Sequence, residues 1–145
     1  VLKREKGPPP EVNLFNEKNN GLSIQTLISL KLVSSVHDVS KGGILIALSK
    51  MCIGGNIGIN INIKNKNISM HEYFFGEDQS RYIVEVSEKN KEKVCKILDK
   101  NSVYFEIIGK TQKGNIEFKN KFNLKVSDLN TLNSFWFKNH FKDSA

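Results

Sequence analysis

A chain of 145 residues, with 39% hydrophobic and 26% charged positions, can build one core without disulfides or a structural metal. No apolar run reaches the about 20 residues that cross a bilayer, and no signal peptide with a basic start and apolar middle is visible. A soluble, cytoplasmic protein without a membrane partner is therefore expected. The net charge of +7 does not argue for nucleic acid, because Arg4 and Arg81 are the only arginines among 22 basic residues, and the lysines are dispersed among asparagines.

In chain order, Val1 to Lys6 leads into Gly7-Pro8-Pro9-Pro10, where consecutive prolines hold the backbone extended. Residues 1–12 read as a linker entered from an upstream domain, and 13–145 as a single α/β domain. Asn13 is placed to cap a helix to about Leu30, with Leu14, Leu22, Leu27 and Ile28 as apolar contacts and Asn19-Asn20-Gly21 weakening its middle. Leu32 to Val36 is a predicted strand. Ser40 is the predicted N-cap of the next helix, in which Ile44, Ala47, Leu48, Met51 and Cys52 form one apolar stripe before Gly54-Gly55. Alternation of Ile57, Ile59, Ile61 and Ile63 predicts a strand with one buried face.

Residues 64–67 read as a polar turn, Met70 to Phe74 as a short helix and Tyr82 to Val86 as a strand. Ser87 opens a helix that turns Val94, Ile97 and Leu98 inward and closes at Lys100-Asn101. Further strands are predicted at Tyr104 to Ile108, Ile116 to Phe118 and Phe122 to Val126. Ser127 is the expected cap of a last helix containing Leu129, Leu132, Phe135 and Trp136. Phe135, Trp136, Phe137 and Phe141 read either as a docking surface for a partner or as core; large aromatics at helical spacing normally serve burial, so they are assigned to the core. Alternating helices and strands followed by a β-meander favour an α/β sandwich with a mixed β-sheet packed against helices. Cys52 and Cys95 fall within helical patterns and read as buried free thiols. His37, His71 and His140 are scattered singly, so no metal site is expected from this chain.

Two segments concentrate polar residues and glycine where an α/β core is usually apolar: His37-Asp38-Val39-Ser40-Lys41-Gly42-Gly43 and Phe75-Gly76-Glu77-Asp78-Gln79-Ser80-Arg81-Tyr82. In the first, the glycines and the start of the predicted helix offer backbone N–H groups to an anion, with Ser40 and Lys41 beside them and Asp38 able to orient His37. The alternative is structural: Ser40 as an ordinary cap, Gly42 and Gly43 allowing close packing, and His37-Asp38 as a local hydrogen-bonded pair. In the second, Glu77 and Asp78 can hold magnesium, or Arg81 can grip a phosphate or carboxylate, with Gln79 and Ser80 between them. An internal ion pair from Glu77 to Arg81 is the structural alternative. No nucleophile elbow or reactive cysteine is present, and no catalytic residue is assigned.

Together with Arg4-Glu5-Lys6-Gly7-Pro8-Pro9-Pro10, these segments resemble the C-terminal end of phosphoribosylformylglycinamidine synthase subunit II, and the likeness covers essentially the whole chain. One departure is Lys41, where that family usually carries an acidic residue. The resemblance implies the C-terminal domain type of the aminoimidazole ribonucleotide synthetase-related superfamily. It also implies a carbon–nitrogen ligase that uses ATP, Mg2+ and glutamine-derived ammonia to convert formylglycinamide ribonucleotide to the amidine. The family's catalytic histidine, main ATP contacts and magnesium ligands would lie upstream, so His37 is not that catalytic residue. The domain alone would be inactive and would require no cofactor. Its expected partners are the upstream domains of the same subunit, a glutaminase subunit and a small bridging subunit. By analogy with the preceding domain of the same type, His37, Asp38, Ser40, Gly42 and Gly43, with the loop of Glu77, Asp78, Gln79, Ser80 and Arg81, would line a second, pseudo-symmetric nucleotide site. Two further readings are another ATP-dependent enzyme of the superfamily and a stand-alone module that binds a phosphorylated metabolite.

Overall fold

The computed structural model describes residues 11–63 and 68–141. Most of the expected linker and the expected turn at 64–67 lie outside the described residues. In chain order the elements are α1 (Leu14–Ser29), β1 (Ser35–Asp38), α2 (Gly43–Gly55), β2 (Gly58–Ile61), α3 (Met70–Phe75), β3 (Tyr82–Glu85), α4 (Glu88–Lys100), β4 (Gly109–Gln112), β5 (Asn115–Phe118), β6 (Phe122–Lys125) and α5 (Val126–His140). Among the described residues, no helix is long and apolar enough to cross a membrane.

Asn13 caps α1 as expected, its Oδ1 accepting from the Asn16 N–H at 3.0 Å. Of the four apolar contacts expected in α1, only Leu27 is buried; Leu14, Leu22 and Ile28 are exposed, because the helix packs mainly along one line against α4. Leu27 meets Leu32, Val94 and Leu98 there in a small core. Leu32 therefore serves burial in a loop, and β1 starts later than the apolar run suggested. Its span is set by pairing with β3, which places Ser35 opposite Glu85 and His37 opposite Ile83.

The larger core lies under α2, whose Ile44, Ala47, Leu48 and Cys52 are buried together with Ile59 and Ile61 of β2, Tyr73 and Phe74 of α3, and Ile116 of β5. The expected α/β architecture with a mixed sheet is present. β1 and β3 form an antiparallel pair, and a four-stranded sheet runs in the order β4-β2-β5-β6. Its β2–β5 pairing is parallel and its other pairings are antiparallel. The meander is corrected: β4 and β5 flank β2 instead of pairing with each other. The predicted strand at Tyr104 to Ile108 is irregular chain, and the edge strand falls on Gly109–Gln112, whose polar sequence carries little β signal.

The helix after β6 starts at Val126, so Ser127 lies within its first turn and bonds Asp128 instead of capping. The buried contacts of α5 come from that end, through Val126 and Leu129. Phe135 (59% exposed), Trp136 (65% exposed) and Phe141 stand on the surface, overturning their assignment to the core. Trp136 and His140 stack with centroids 5.0 Å apart. The Phe137 side chain lies outside the described set.

Candidate functional site

The two polar segments meet at the start of α2. Gly42 and Gly43 have φ of +85° and +71°, a left-handed conformation that side-chain-bearing residues rarely adopt. A Cβ on Gly43 would come within 2.8 Å of the Phe75 backbone and closer still to the Phe74 carbonyl oxygen. The glycine thus lets the first turn of α2 lie directly on the end of α3. Gly42, not Ser40, holds the N-cap position; the Ser40 carbonyl accepts from the Gly43 N–H at 3.0 Å, and the expected side-chain cap is absent. The Gly42 N–H points instead to Glu77, donating to its Oε1 at 2.8 Å. The positive end of the helix is therefore met by a carboxylate of the same chain.

His37 lies on β1 with Nδ1 2.6 Å from the Asp38 carbonyl, an acceptor that requires the proton on Nδ1, and 3.4 Å from Asp38 Oδ1. This is the local hydrogen-bonded pair of the structural reading. Asp38 and Ser40 are exposed, and Val39 is tied to the second segment by its N–H, which donates to the Arg81 carbonyl at 2.8 Å.

Within the second segment Arg81 draws the loop onto itself. Its guanidinium bonds the Gly76 carbonyl, reaches the Asp78 carbonyl from Nε at 3.4 Å and pairs with Asp78 Oδ2 at 3.2 Å. The internal ion pair exists, but with Asp78 where Glu77 was expected. Ser80 takes φ of +67° and is held from α1: Asn20 Nδ2 donates to its carbonyl at 2.9 Å and to its Oγ at 3.2 Å. The loop is approached through α3, whose capping box joins Ser69 and Glu72. Hydrogen bonds from the Ser69 backbone and hydroxyl hold the Glu72 carboxyl below its ordinary range.

Gln79, Ser80 and Arg81 also line a cavity of about 430 Å³ between α1, β3 and the 103–108 chain. Its floor is apolar, with Ile24, Leu27, Ile44, Ile83 and Leu98, and its walls carry Asn16, Asn20, Tyr73 and Glu106. The Tyr73 hydroxyl donates to Glu106 Oε1 at 2.8 Å. Burial first, then that bond and the carboxylate charge, push the phenol far above its ordinary range. Asn20, Tyr73 and Glu106 were not singled out from the sequence. The one available signal was Asn19-Asn20, read there as a weak point in the helix: Asn19 donates to the Asn101 carbonyl and Asn20 to Ser80, so both are docking contacts.

One carboxylate oxygen of Glu77 accepts from the Gly42 N–H and one of Asp78 pairs with Arg81, so both side chains have partners inside the chain. Among the described residues, no group of three or more His, Cys, Asp or Glu is placed to hold a metal ion. Burial, and secondarily the Glu85 charge, push the Cys52 thiol up to about 11; both cysteines are free, with Cys52 buried as expected and Cys95 only half-buried.

The family model described as AIR synthase related protein, C-terminal domain, matches residues 1–119. The chain belongs to that family. Both polar segments and the α2 junction fall inside the matched region, whereas α5 lies beyond it. This AIR synthase related C-terminal domain is 45% identical over 143 residues to phosphoribosylformylglycinamidine synthase subunit PurL of Pelagibacter ubique, covering 99% of the chain and 20% of the relative. It is 36% identical over 140 residues to the PurL subunit of Methylocella silvestris, covering 97% and 19%. The chain thus spans about a fifth of the length of these relatives. The solved structure of Thermotoga maritima PurL complexed with ATP superposes with a TM-score of 0.71 at 19% identity, over 82% of this chain and 22% of that one. That likeness carries the fold. A structure of PurLQS from the same organism matches with a TM-score of 0.71 at 19% identity, over 82% and 22%.

Proposed function

We propose that residues 13–145 act as one domain of a PurL-type phosphoribosylformylglycinamidine synthase, the ligase that makes formylglycinamidine ribonucleotide in purine biosynthesis. The observation that carries this reading is the 45% identity running through 99% of the chain to a subunit five times as long. In such an enzyme this domain is structural and lines a ligand cleft, while ATP and Mg2+ are held by other parts of the subunit. The structural partners of Glu77 and Asp78 within the chain, Gly42 and Arg81, support that division. The partners are the other domains of the subunit, a glutaminase subunit and a small bridging subunit, in the cytoplasm.

Within the former candidate site the roles divide. Gly42, Gly43, Glu77, Asp78 and Arg81 fix the junction of α2 with the loop. Asp38 and Ser40, exposed beside the half-buried His37, are the residues of the first segment that face a cleft shared with a neighbouring domain. Glu77 at the start of α2 weighs against a stand-alone phosphate-binding module, since a phosphate would have to displace it. The test exchanges the matching fifth of the Pelagibacter ubique PurL subunit for this chain and measures amidine formation with glutamine or ammonia. Activity in the exchanged enzyme, and none in the chain alone, is expected. ATP-dependent turnover by the chain alone, or a folded but inactive exchange, would overturn the reading.

A further inference from the structure

Strand β3 has one strand neighbour, β1, and bonds it through alternate residues. The Val39 N–H donates to the Arg81 carbonyl at 2.8 Å, and His37 stands opposite Ile83. The ladder therefore turns the N–H and C=O of Arg81 and Ile83 toward β1, and those of Tyr82 and Val84 the other way. Among the described residues, no second strand pairs with β3, and no backbone hydrogen bond reaches Tyr82 or Val84 on that open edge. An edge of this kind is a template for another chain.

The cavity of about 430 Å³ runs along this edge. Tyr82, Ile83 and Val84 all line it, whereas no residue of β1 does. Consecutive strand residues point to opposite faces, so three in a row are reached together only from the edge. On one side the space meets Ile44 and Tyr73 of the larger core, on the other Leu27 and Leu98 of the small one. A strand lying there would be covered on both faces and would carry apolar side chains throughout. Asn16, Asn20 and Gln79 add carboxamides, whose donors and acceptor match those of a peptide group. Val103, Phe105 and Ile108 close the far side, so a single strand fits and the edge of a second sheet does not. We propose that β3 takes up along its open edge an extended apolar segment of a partner polypeptide, matching the four residues of β3. The proposal does not depend on the role given above.

The test adds a capped peptide, valine and alanine alternating between two terminal serines, to the 145-residue chain and follows backbone amide hydrogen exchange by NMR. In the free chain the Tyr82 and Val84 amides should exchange readily while Ile83 is protected by β1. Saturating peptide should slow Tyr82 and Val84 by about tenfold or more, the scale of one hydrogen bond. The same peptide methylated at every backbone nitrogen cannot donate to the edge and should bind at least about tenfold more weakly. Val84→Pro removes an outward donor without touching a bond to β1, so it should keep the circular dichroism of the fold and lose the binding. Unchanged exchange at Tyr82 and Val84 up to the peptide's solubility limit would overturn the proposal. Equal binding of the methylated peptide, or undiminished binding by folded Val84→Pro, would do the same. Protection of Tyr82 and Val84 without any peptide would also overturn it, assigning the edge to a second copy if it grows with protein concentration and to the chain itself if it does not.

Discussion

The loop from Gly76 to Arg81 faces two regions that differ sharply. Toward α2 it is closed: Glu77 takes the Gly42 N–H, and the α2 backbone at Gly43 lies against Phe74 and Phe75 with no room for a side chain. Toward α1 it is hollow, and Ser80 is spanned by a single asparagine at the wall of a cavity of about 430 Å³. One short polar segment thus does two kinds of work. Polar residues clustered beside glycine are as apt to solve a backbone problem as to bind a ligand, and only their partners tell which.

If the closed side is the rigid one, its disruption should dominate. Gly43→Ala combines an unfavourable φ with a backbone collision and should cost about 3 kcal/mol or more by urea denaturation; a cost near zero would mean the junction is not tightly packed. Glu77→Ala removes a charged acceptor from an exposed helix start and should cost about 1 kcal/mol, with Glu77→Gln recovering part of it. On the hollow side, Asn20→Ala loses two hydrogen bonds to Ser80 and should cost no more than about 1 kcal/mol. An Asn20→Ala effect exceeding that of Gly43→Ala would invert the comparison.

Two smaller effects concern groups away from the loop. Ellman's reagent at neutral pH should modify half-buried Cys95 well before Cys52, whose thiol is buried and resists ionisation. Equal rates would mean the core under α2 opens readily. The Glu72 carboxyl is held low by Ser69, so its stabilising contribution is present above the unfolded-state value and is lost as pH falls through the folded one. Ser69→Ala removes the hydroxyl but keeps the backbone N–H, so it should raise the Glu72 titration midpoint by NMR only in part, and an unmoved midpoint would leave the backbone bond as its cause.

Elements with strong local signals were legible in the sequence. The stripe of α2, the alternation of Ile59 and Ile61, and the Asn13 cap appear where periodicity and capping chemistry put them. What failed depended on distant partners. Leu32 resembles a strand residue until Leu27, Val94 and Leu98 claim it, and Gly109–Gln112 is a strand because β2 lies beside it. Ser40 has the right chemistry for a cap, but the left-handed pair after it moves the helix start to Gly42. At the site, the sequence marked both segments without revealing that Glu77 of one answers Gly42 of the other, 35 positions away. The aromatic residues of α5 were misplaced because helical spacing states which residues share a face and not whether anything covers it.

The central position of β2 also shapes how the chain is made. Its neighbours on either side, Thr111 and Ile116 opposite Ile59, are translated some fifty residues after it. An isoleucine-rich strand must therefore leave the ribosome and wait with both edges open, a state in which extended apolar segments readily find the wrong partner. The isoleucines of β2 are separated by Asn60, and polar interruptions of this kind keep a waiting strand soluble until β4 and β5 arrive.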